Sequence, residues 1–410
     1  MMNSAHAAEP MSDDALLDDI ERRAVAYFWN ETDGSAGIVK DRAANFADDD
    51  PRTVGSIAAT GFGLVALAIG VERGWIERSE AYERVRTTLD FFLNRMTNEH
   101  GWFYHFVDIR TGERVWECEV SSIDTALFLA GALFAGAYFA DTEIAELADA
   151  LYRRVDFVWM LTDGGTRLRS QTLNHGWKPE SGFLANRWDH YCEHMILYLL
   201  AIGSPTHPIP DRTWDAWERR VGEYAGHLTF KVGPLFTHQF SHAFVDFRGR
   251  KDRLGYDYWE ASVQATLANR QFCADNAKRF RTYSDNVWGL SASDGPDGYR
   301  AYSAPPGRIE HDGTVAPLAV VAALPMAPAV VMDSIRHLRE TYGDRLWGRY
   351  GFSDAFNLDR DWWDPDTIGI DVGAALLMVE NYRAGFVWET FGRVRYVADA
   401  MSRVGFGQAR

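Results

Sequence analysis

Six apolar helical stretches, each entered from a loop of more than twenty residues, constrain the architecture of this chain. They fall at about residues 56–73, 122–139, 189–202, 257–277, 314–322 and 370–389, after loops at 30–55, 97–121, 161–188, 227–256, 278–313 and 342–369. Between most of them a short turn leads to a second, amphipathic segment: 79–96, 142–160, 211–226, 326–341 and 392–403, with 13–29 opening the chain. In 79–96, Val85, Leu89, Phe92, Leu93 and Met96 recur at helical spacing and face away from Glu83, Arg84 and Arg86. The preceding segment SIAATGFGLVALAIG is apolar on every side, and such a helix must be buried.

Buried helices inside a ring of amphipathic ones describe an all-α (α/α)6 toroid of about twelve helices. Long and short connections alternate, so all six long loops gather at one mouth. Long ordered loops in a compact protein usually carry function. One count is short: no clear outer helix follows 257–277, so that segment divides near Asn269 or the ring has a gap there. No Pro/Ser-rich linker or low-complexity run cuts the chain, so we expect a tail at 1–12 and one catalytic domain at 13–410.

Charge and composition narrow the partners. A formal net charge of -16 repels nucleic acid and leaves neutral polymers open. The strongest membrane candidate, Thr125 to Ala140, has sixteen uncharged residues rich in Gly and Ala and is too short to span. Cys118, Cys192 and Cys273 are far apart and do not form a disulfide framework. The start MMNSAHAAEP lacks the apolar core of an export signal, which leaves a periplasmic location if a signal was trimmed and a cytoplasmic one otherwise. The residues carry no signature of a particular oligomeric state.

The chemistry lies in the loops. Aromatic residues make up 14% of the chain, and many stand at the mouth, among them Trp116, Trp177, Trp188, Tyr191 and Tyr299. Flat sugar faces stack on such rings while Asp, Glu and Arg bind hydroxyls; the plain alternative is that the rings only plug the loops. Acids cluster where the buried stretches begin: Glu117, Glu119 and Asp124; Asp189 and Glu193; Asp257 and Glu260; Glu310 and Asp312; Asp366 and Asp371. Some of these are helix-capping residues, as the position of Asp124 in SSIDTALF suggests. Glu193 is different. It sits between Tyr191 and the run MILYLLA, where burial raises a carboxyl pKa and suits it to donate a proton. A glycosidase needs a second carboxylate, about 6.5–9.5 Å away for inversion or about 5–5.5 Å for retention. Glu119, Asp124 and Asp371 are the candidates.

Two competing motifs overlap this reading. His190-Tyr191-Cys192-Glu193-His194 fits the H-x-x-E-H zinc-peptidase pattern, although no third ligand is defined. Asp48-Asp49-Asp50 resembles a Mg²⁺-diphosphate cluster, but its place before Pro51 marks a solvated turn.

The strings GSIAATGFGLVALAIGVERGWI, EVSSIDTALFLAGALFAG, WDHYCEHMILYLLAIGSPTHP, VWGLSASDGPDGYRAY, DGTVAPLA and IGIDVGAALLMVENYRAGFVW appear in one order from about Ile38 to Arg395. Together they resemble the bacterial glycoamylase-like domain family, which includes glycoside hydrolase family 144, the endo-β-1,2-glucanases. The resemblance implies an (α/α)6 barrel, no metal or cofactor, and inverting acid/base hydrolysis of β-1,2-linked glucans or related osmoregulated and cyclic glucans. It puts Glu193 as proton donor, Glu119 and Asp124 near the cleaved bond, and Asp294, Asp297, Tyr299 and Arg300 on a sugar-binding loop. Arg42, Trp177, Trp188, Tyr191 and Glu260 complete the expected sugar contacts. The other readings the residues allow are a transglycosylase of β-glucan metabolism and a carbohydrate-binding protein without turnover.

Overall fold

The computed structural model describes residues 11–407. Residues 1–10 of the expected tail lie outside it; Ser12 already caps the first helix, accepting a hydrogen bond from the Ala15 amide. The α-helices are α1 (Asp13–Asn30), α2 (Ile57–Glu72), α3 (Arg78–Asn94), α4 (Ser122–Tyr138), α5 (Glu143–Arg154), α6 (Phe157–Thr162), α7 (Met195–Gly203), α8 (Phe240–Phe244), α9 (Tyr258–Asn276), α10 (Pro317–Ala322), α11 (Pro328–Leu346), α12 (Gly369–Arg383), α13 (Phe386–Phe391) and α14 (Arg395–Arg403). Among the described residues, strands form only ribbons of two or three short members.

The core is helical. Every residue of α2 from Ile57 to Gly70, of α7 from Met195 to Ile202, of α10, and of α8 is buried, and α4 and α12 are nearly so. These helices pack in succession: α2 on α4, α4 on α7, α7 on α8, α8 on α12, α12 on α10 and back on α2. The closest approach is at two glycines. A Cβ on Gly131 of α4 would stand 2.0 Å from the carbonyl oxygen of Gly61 on α2, and one on Gly61 would stand 2.4 Å from the Leu127 carbonyl.

Three expectations are corrected. Segment 257–277 is not an inner helix. Helix α9 runs unbroken through Asn269 and buries one face, Tyr258, Ser262, Ala265, Asn269, Phe272 and Cys273. Asn269 ties down the next loop instead of breaking the helix, donating to the Leu290 carbonyl and accepting from its amide, both at 3.0 Å. The inner place belongs to α8, five residues too short to show a period. Segment 211–226 is not a helix either. It is a 3-10 turn (Asp211–Asp215) followed by a hairpin pairing Val221–Tyr224 with His227–Phe230. Ala225 and Gly226 at its tip have φ of 50° and 87°, the left-handed pair that a tight hairpin turn demands. Arg219 anchors the segment, its guanidinium 3.2 Å from the Trp217 ring centroid and its Nε donating to the Tyr258 hydroxyl. Segment 189–202 is helical only from Met195 onward.

Antiparallel ribbons tie the long loops together at the end of the core where the inner helices begin. Arg42–Ala44 pairs with Asp366–Ile368, Val54–Ser56 with Phe106–Asp108, and Val120–Ser121 with Gly176–Lys178. The first loop is thereby joined to both the last and the second, and the second to the third.

Gly131→Ala puts a methyl group into backbone and should destabilise the protein by about 1–3 kcal/mol or more, whereas Glu146→Ala on the exposed face of α5 should stay within about 0.5 kcal/mol. Denaturant midpoints of the two variants check this.

Candidate active site

The ribbon-joined loops enclose a cavity of about 440 Å³ lined by Asp41, Arg42, Ser56, His105, Phe106, Trp116, Ile123, Asp124, Leu127, Glu193, Phe236, Phe240, Tyr299, Ile368 and Ile370. A concavity of about 520 Å³ elsewhere, floored by Phe244, Trp388 and Phe391, also has acids at its rim. Those acids, Asp246 and Glu389, are already paired with Arg248 and Arg393. The cavity at the mouth holds the acids that are still available for chemistry.

Glu193 stands two residues before α7 and is 8% exposed. Its Oε2 is buried without a hydrogen-bond partner, and its carbonyl accepts from the Ser241 hydroxyl at 2.5 Å. Burial pushes its carboxyl pKa up, an effect the Cys192 thiol partly offsets and the nearby Asp124 charge reinforces.

Glu119 has the opposite environment. His105 reaches its Oε1 with Nδ1 at 3.0 Å and approaches Asp124 Oδ1 with Nε2 at 3.4 Å, so one imidazole bridges two acids. The hydrogen bond from His105 holds Glu119 at about 2 despite partial burial. Burial alone would lower the His105 pKa, but Asp124 and Glu119 outweigh it and lift the ring to about 8. Asp124 occupies the first turn of α4, where the N-cap Ser121 hydroxyl bonds to its carboxylate and accepts from its amide. The helix dipole favours an anion there.

Asp371, in the first turn of α12, is 9% exposed and leaves Oδ2 unpartnered. It belongs to an acidic floor with Asp41, Asp294, Asp354 and Asp364. Burial, and then the charges of Asp41 and Asp294, push it up to about 8. Arg42 is held within this floor, 3.1 Å from Asp41 and 2.5 Å from Asp294. Tyr299 is half exposed as a residue, yet its phenol keeps its proton because of desolvation and the fields of Asp371, Asp354, Asp41 and Asp294.

The cavity therefore brings together Glu193, Asp124, Arg42 and Tyr299, with Glu119 held through His105 and Asp371 and Asp294 beside its floor. Six other expected sugar contacts do not line it. Trp188 is 5% exposed, stacks on His175 at 3.8 Å and donates to the Ser122 hydroxyl. Tyr191 packs inside an aromatic cluster with Phe230 and Tyr258. Trp177 packs against Trp159. Glu260 is exposed on α9 and bonds to Gln264. Asp297 is exposed, beside Arg360. Both buried rings were misread because aromatic content alone does not tell a platform from a plug. Arg300 lies in an adjoining groove with Lys231 and Arg308.

The rival motifs come apart. His190 is half exposed against Asp189, while His194 is fully buried against Trp217 and its ring nitrogens have no partners. The two rings of H-x-x-E-H thus point into different surroundings, and no helical turn aligns them. Asp50 is taken up by Arg52 and the Ala44 amide, a structured turn.

His105, Phe106, Phe236 and Phe240 were not anticipated. The only sequence signal for His105 was its place in a long aromatic loop. Trp116 is 66% exposed at the rim, and both it and Glu117 adopt left-handed backbone, φ 57° and 48°. Such conformations cost energy and concentrate at binding sites.

These features define a class: all-helical proteins with a buried acid and an ion-paired acid in a cavity at the N-terminal ends of the inner helices. The family model described as "Putative glucoamylase" matches residues 185–395, and the chain belongs to that glycoamylase family. It is 28% identical, over 93% of its length, to an exo β-1,2-glucooligosaccharide sophorohydrolase (non-reducing end) of Parabacteroides distasonis, and spans 56% of that relative. The structure resembles that of a putative glucoamylase from Bacteroides uniformis, with TM-score 0.88, 30% identity, and 97% and 98% of the two chains covered. It also resembles an endo-β-1,2-glucanase from Chitinophaga pinensis in complex with sophorotriose and glucose, with TM-score 0.87, 27% identity, and 97% and 99% covered.

A histidine with a folded pKa raised from 6.5 to about 8 stabilises the protein fully below about pH 6.5, and that contribution disappears as pH rises through 8. His105→Gln should therefore cost about 1 kcal/mol more at pH 6 than at pH 9.5 in matched urea titrations. Trp116→Ala should raise KM for an oligosaccharide up to about tenfold while leaving the melting temperature within about 2 °C, as expected for a lost stacking surface.

Proposed function

We propose that residues 13–410 form one (α/α)6 glycoside hydrolase domain that cleaves β-1,2-linked glucans by acid/base catalysis with inversion. The observation that carries the reading is Glu193: a desolvated carboxyl with a free oxygen, opening on a cavity that contains other acids in different environments. Two of the relatives named above, the sophorohydrolase and the Chitinophaga pinensis glucanase, act on β-1,2-linked glucooligosaccharide or glucan by their names, which is the reason for choosing this linkage.

In this mechanism Glu193 protonates the glycosidic oxygen. Glu119 is a poor general base, because a carboxylate held near 2 by His105 has little tendency to take a proton near neutrality. Asp124 is likewise engaged by Ser121 and His105. Asp371 retains an oxygen free of partners at the root of α12, and we assign it the activation of water; because burial, Asp41 and Asp294 raise it to about 8, it does so in the ionised fraction, which grows as pH rises toward 8. Glu119 and His105 then form a fixed charge pair that orients Asp124 beneath the cleaved bond. Trp116 and Tyr299 supply the sugar-facing rings, and Arg42 binds hydroxyls.

Incubation with linear β-1,2-glucan and with cyclic osmoregulated glucan should release oligosaccharides, the first product appearing as the α-anomer by proton NMR. Longer chains would mean transglycosylation, and sugar binding without products would mean a binding protein. Glu193→Gln and Asp371→Asn should each lose about 10²–10⁴-fold in kcat. If Glu119→Gln shows that loss and Asp371→Asn does not, the base assignment is wrong.

A further inference from the structure

Beneath the cavity, two loops bring Asp294, Asp354 and Asp364 together. None of the three lines the cavity itself. Each offers a carboxylate oxygen, and these oxygens all lie within 4.8 Å of one another. Oxygens on opposite sides of a Ca²⁺ ion stand about 4.6–5.2 Å apart, so one ion can touch all three.

The remaining valences point to a ligand. Asp354 is 1% exposed and uses Oδ2 to accept from the Asp294 amide at 2.8 Å; Asp364 is 3% exposed and uses Oδ1 to accept from the Asp366 amide at 3.0 Å. Asp354 Oδ1 and Asp364 Oδ2 are left buried with no donor. A buried carboxylate oxygen without a partner is costly, and a sugar in the cavity does not reach these. The local cations do not cover the charge. Arg42 divides its guanidinium between Asp41 and Asp294. Arg52, the next cation, is engaged by Asp50 and Asp366.

We propose that Asp294, Asp354 and Asp364 form a binding site for a hard divalent cation of the Ca²⁺ class. All donors are oxygens on loop carboxylates, the ligand type that calcium takes up and that softer metals do not favour. The ion's role is structural. It links the loop after α9 to two points on the loop between α11 and α12, and so fixes the floor under Arg42 and Tyr299. This site does not depend on the identity of the glucan cleaved.

The test uses the whole protein, stripped with a chelator and dialysed against Ca²⁺ or against Mg²⁺ at constant ionic strength. Retention of one ion per chain, with a rise in melting temperature of at least about 3 °C at saturating Ca²⁺, is expected. Asp364→Asn should abolish both. Equal retention by Asp364→Asn would place the ion elsewhere and overturn the assignment, as would no retention of either ion by the wild type, which would mean that the acids share protons. If Asp364→Asn fails to fold, Asp364→Ser, read by the same dialysis, takes its place. Ca²⁺ displacing Mg²⁺ in competition supports the calcium class, and the reverse overturns that part.

Discussion

Backbone contact between α2 and α4 sets the geometry of everything at the mouth. Gly61 and Gly131 let the two helices meet backbone to backbone, with no room for a Cβ at either position. Gly373 of α12 makes a similar concession to Phe62 of α2, where a Cβ would stand 2.4 Å from the ring. With three inner helices drawn together, their first turns converge. Ser56, Asp124 and Asp371 open those turns, and the ribbons that carry Arg42, His105 and Glu119 are paired directly to the strands leading into them. Opening the crossing by even the width of a methyl group would move every acid relative to its neighbours.

Given that convergence, environment separates acids of identical chemistry. Glu193 is surrounded by apolar and aromatic groups and has no cation in contact, so the neutral form is favoured. Glu119, on the adjacent loop, has an imidazole at 3.0 Å and stays charged. His105 itself is kept flat against Phe106, the ring centroids 3.8 Å apart, which fixes the direction of both its nitrogens. Two carboxyls in one cavity can then take opposite protonation states at one pH, the condition for pairing an acid with anionic neighbours.

The sequence conveyed the helical plan because the inner helices are so uniformly apolar that their burial needed no partner to infer, as in α2 and α4. It failed where burial is bought by polar bonds. Helix α9 hides Ser262, Thr266 and Asn269 and so looked like a poor outer helix and a doubtful inner one, while α8 is only one turn and a fraction long. Segment 211–226 had helical spacing, but the buried Arg219 and Asp252 pull Trp214 and Trp217 into an aromatic knot that no periodicity encodes. At the site, Glu193 and Asp371 were legible because each adjoins a long apolar run. His105 and the left-handed turn at Trp116 were not, since their roles arise from partners distant in sequence or from backbone dihedrals.

The mouth also explains how a chain of net charge -16 can hold so many buried acids. Some surface acids pair with arginines, as Glu180 does with Arg114 and Asp215 with Arg253, and unpaired ones stay solvated, whereas at the mouth buried acids are left with incomplete pairing. At the floor, Arg42 faces several carboxylates and cannot neutralise them all. An anionic ligand entering this cavity would meet that excess at low dielectric and be repelled, whereas a neutral ligand rich in hydroxyls meets no such repulsion and can pair with the unpartnered Glu193 Oε2. Selection for a neutral polyol is thus built into the charge balance of the cavity, before any contact specific to linkage is made.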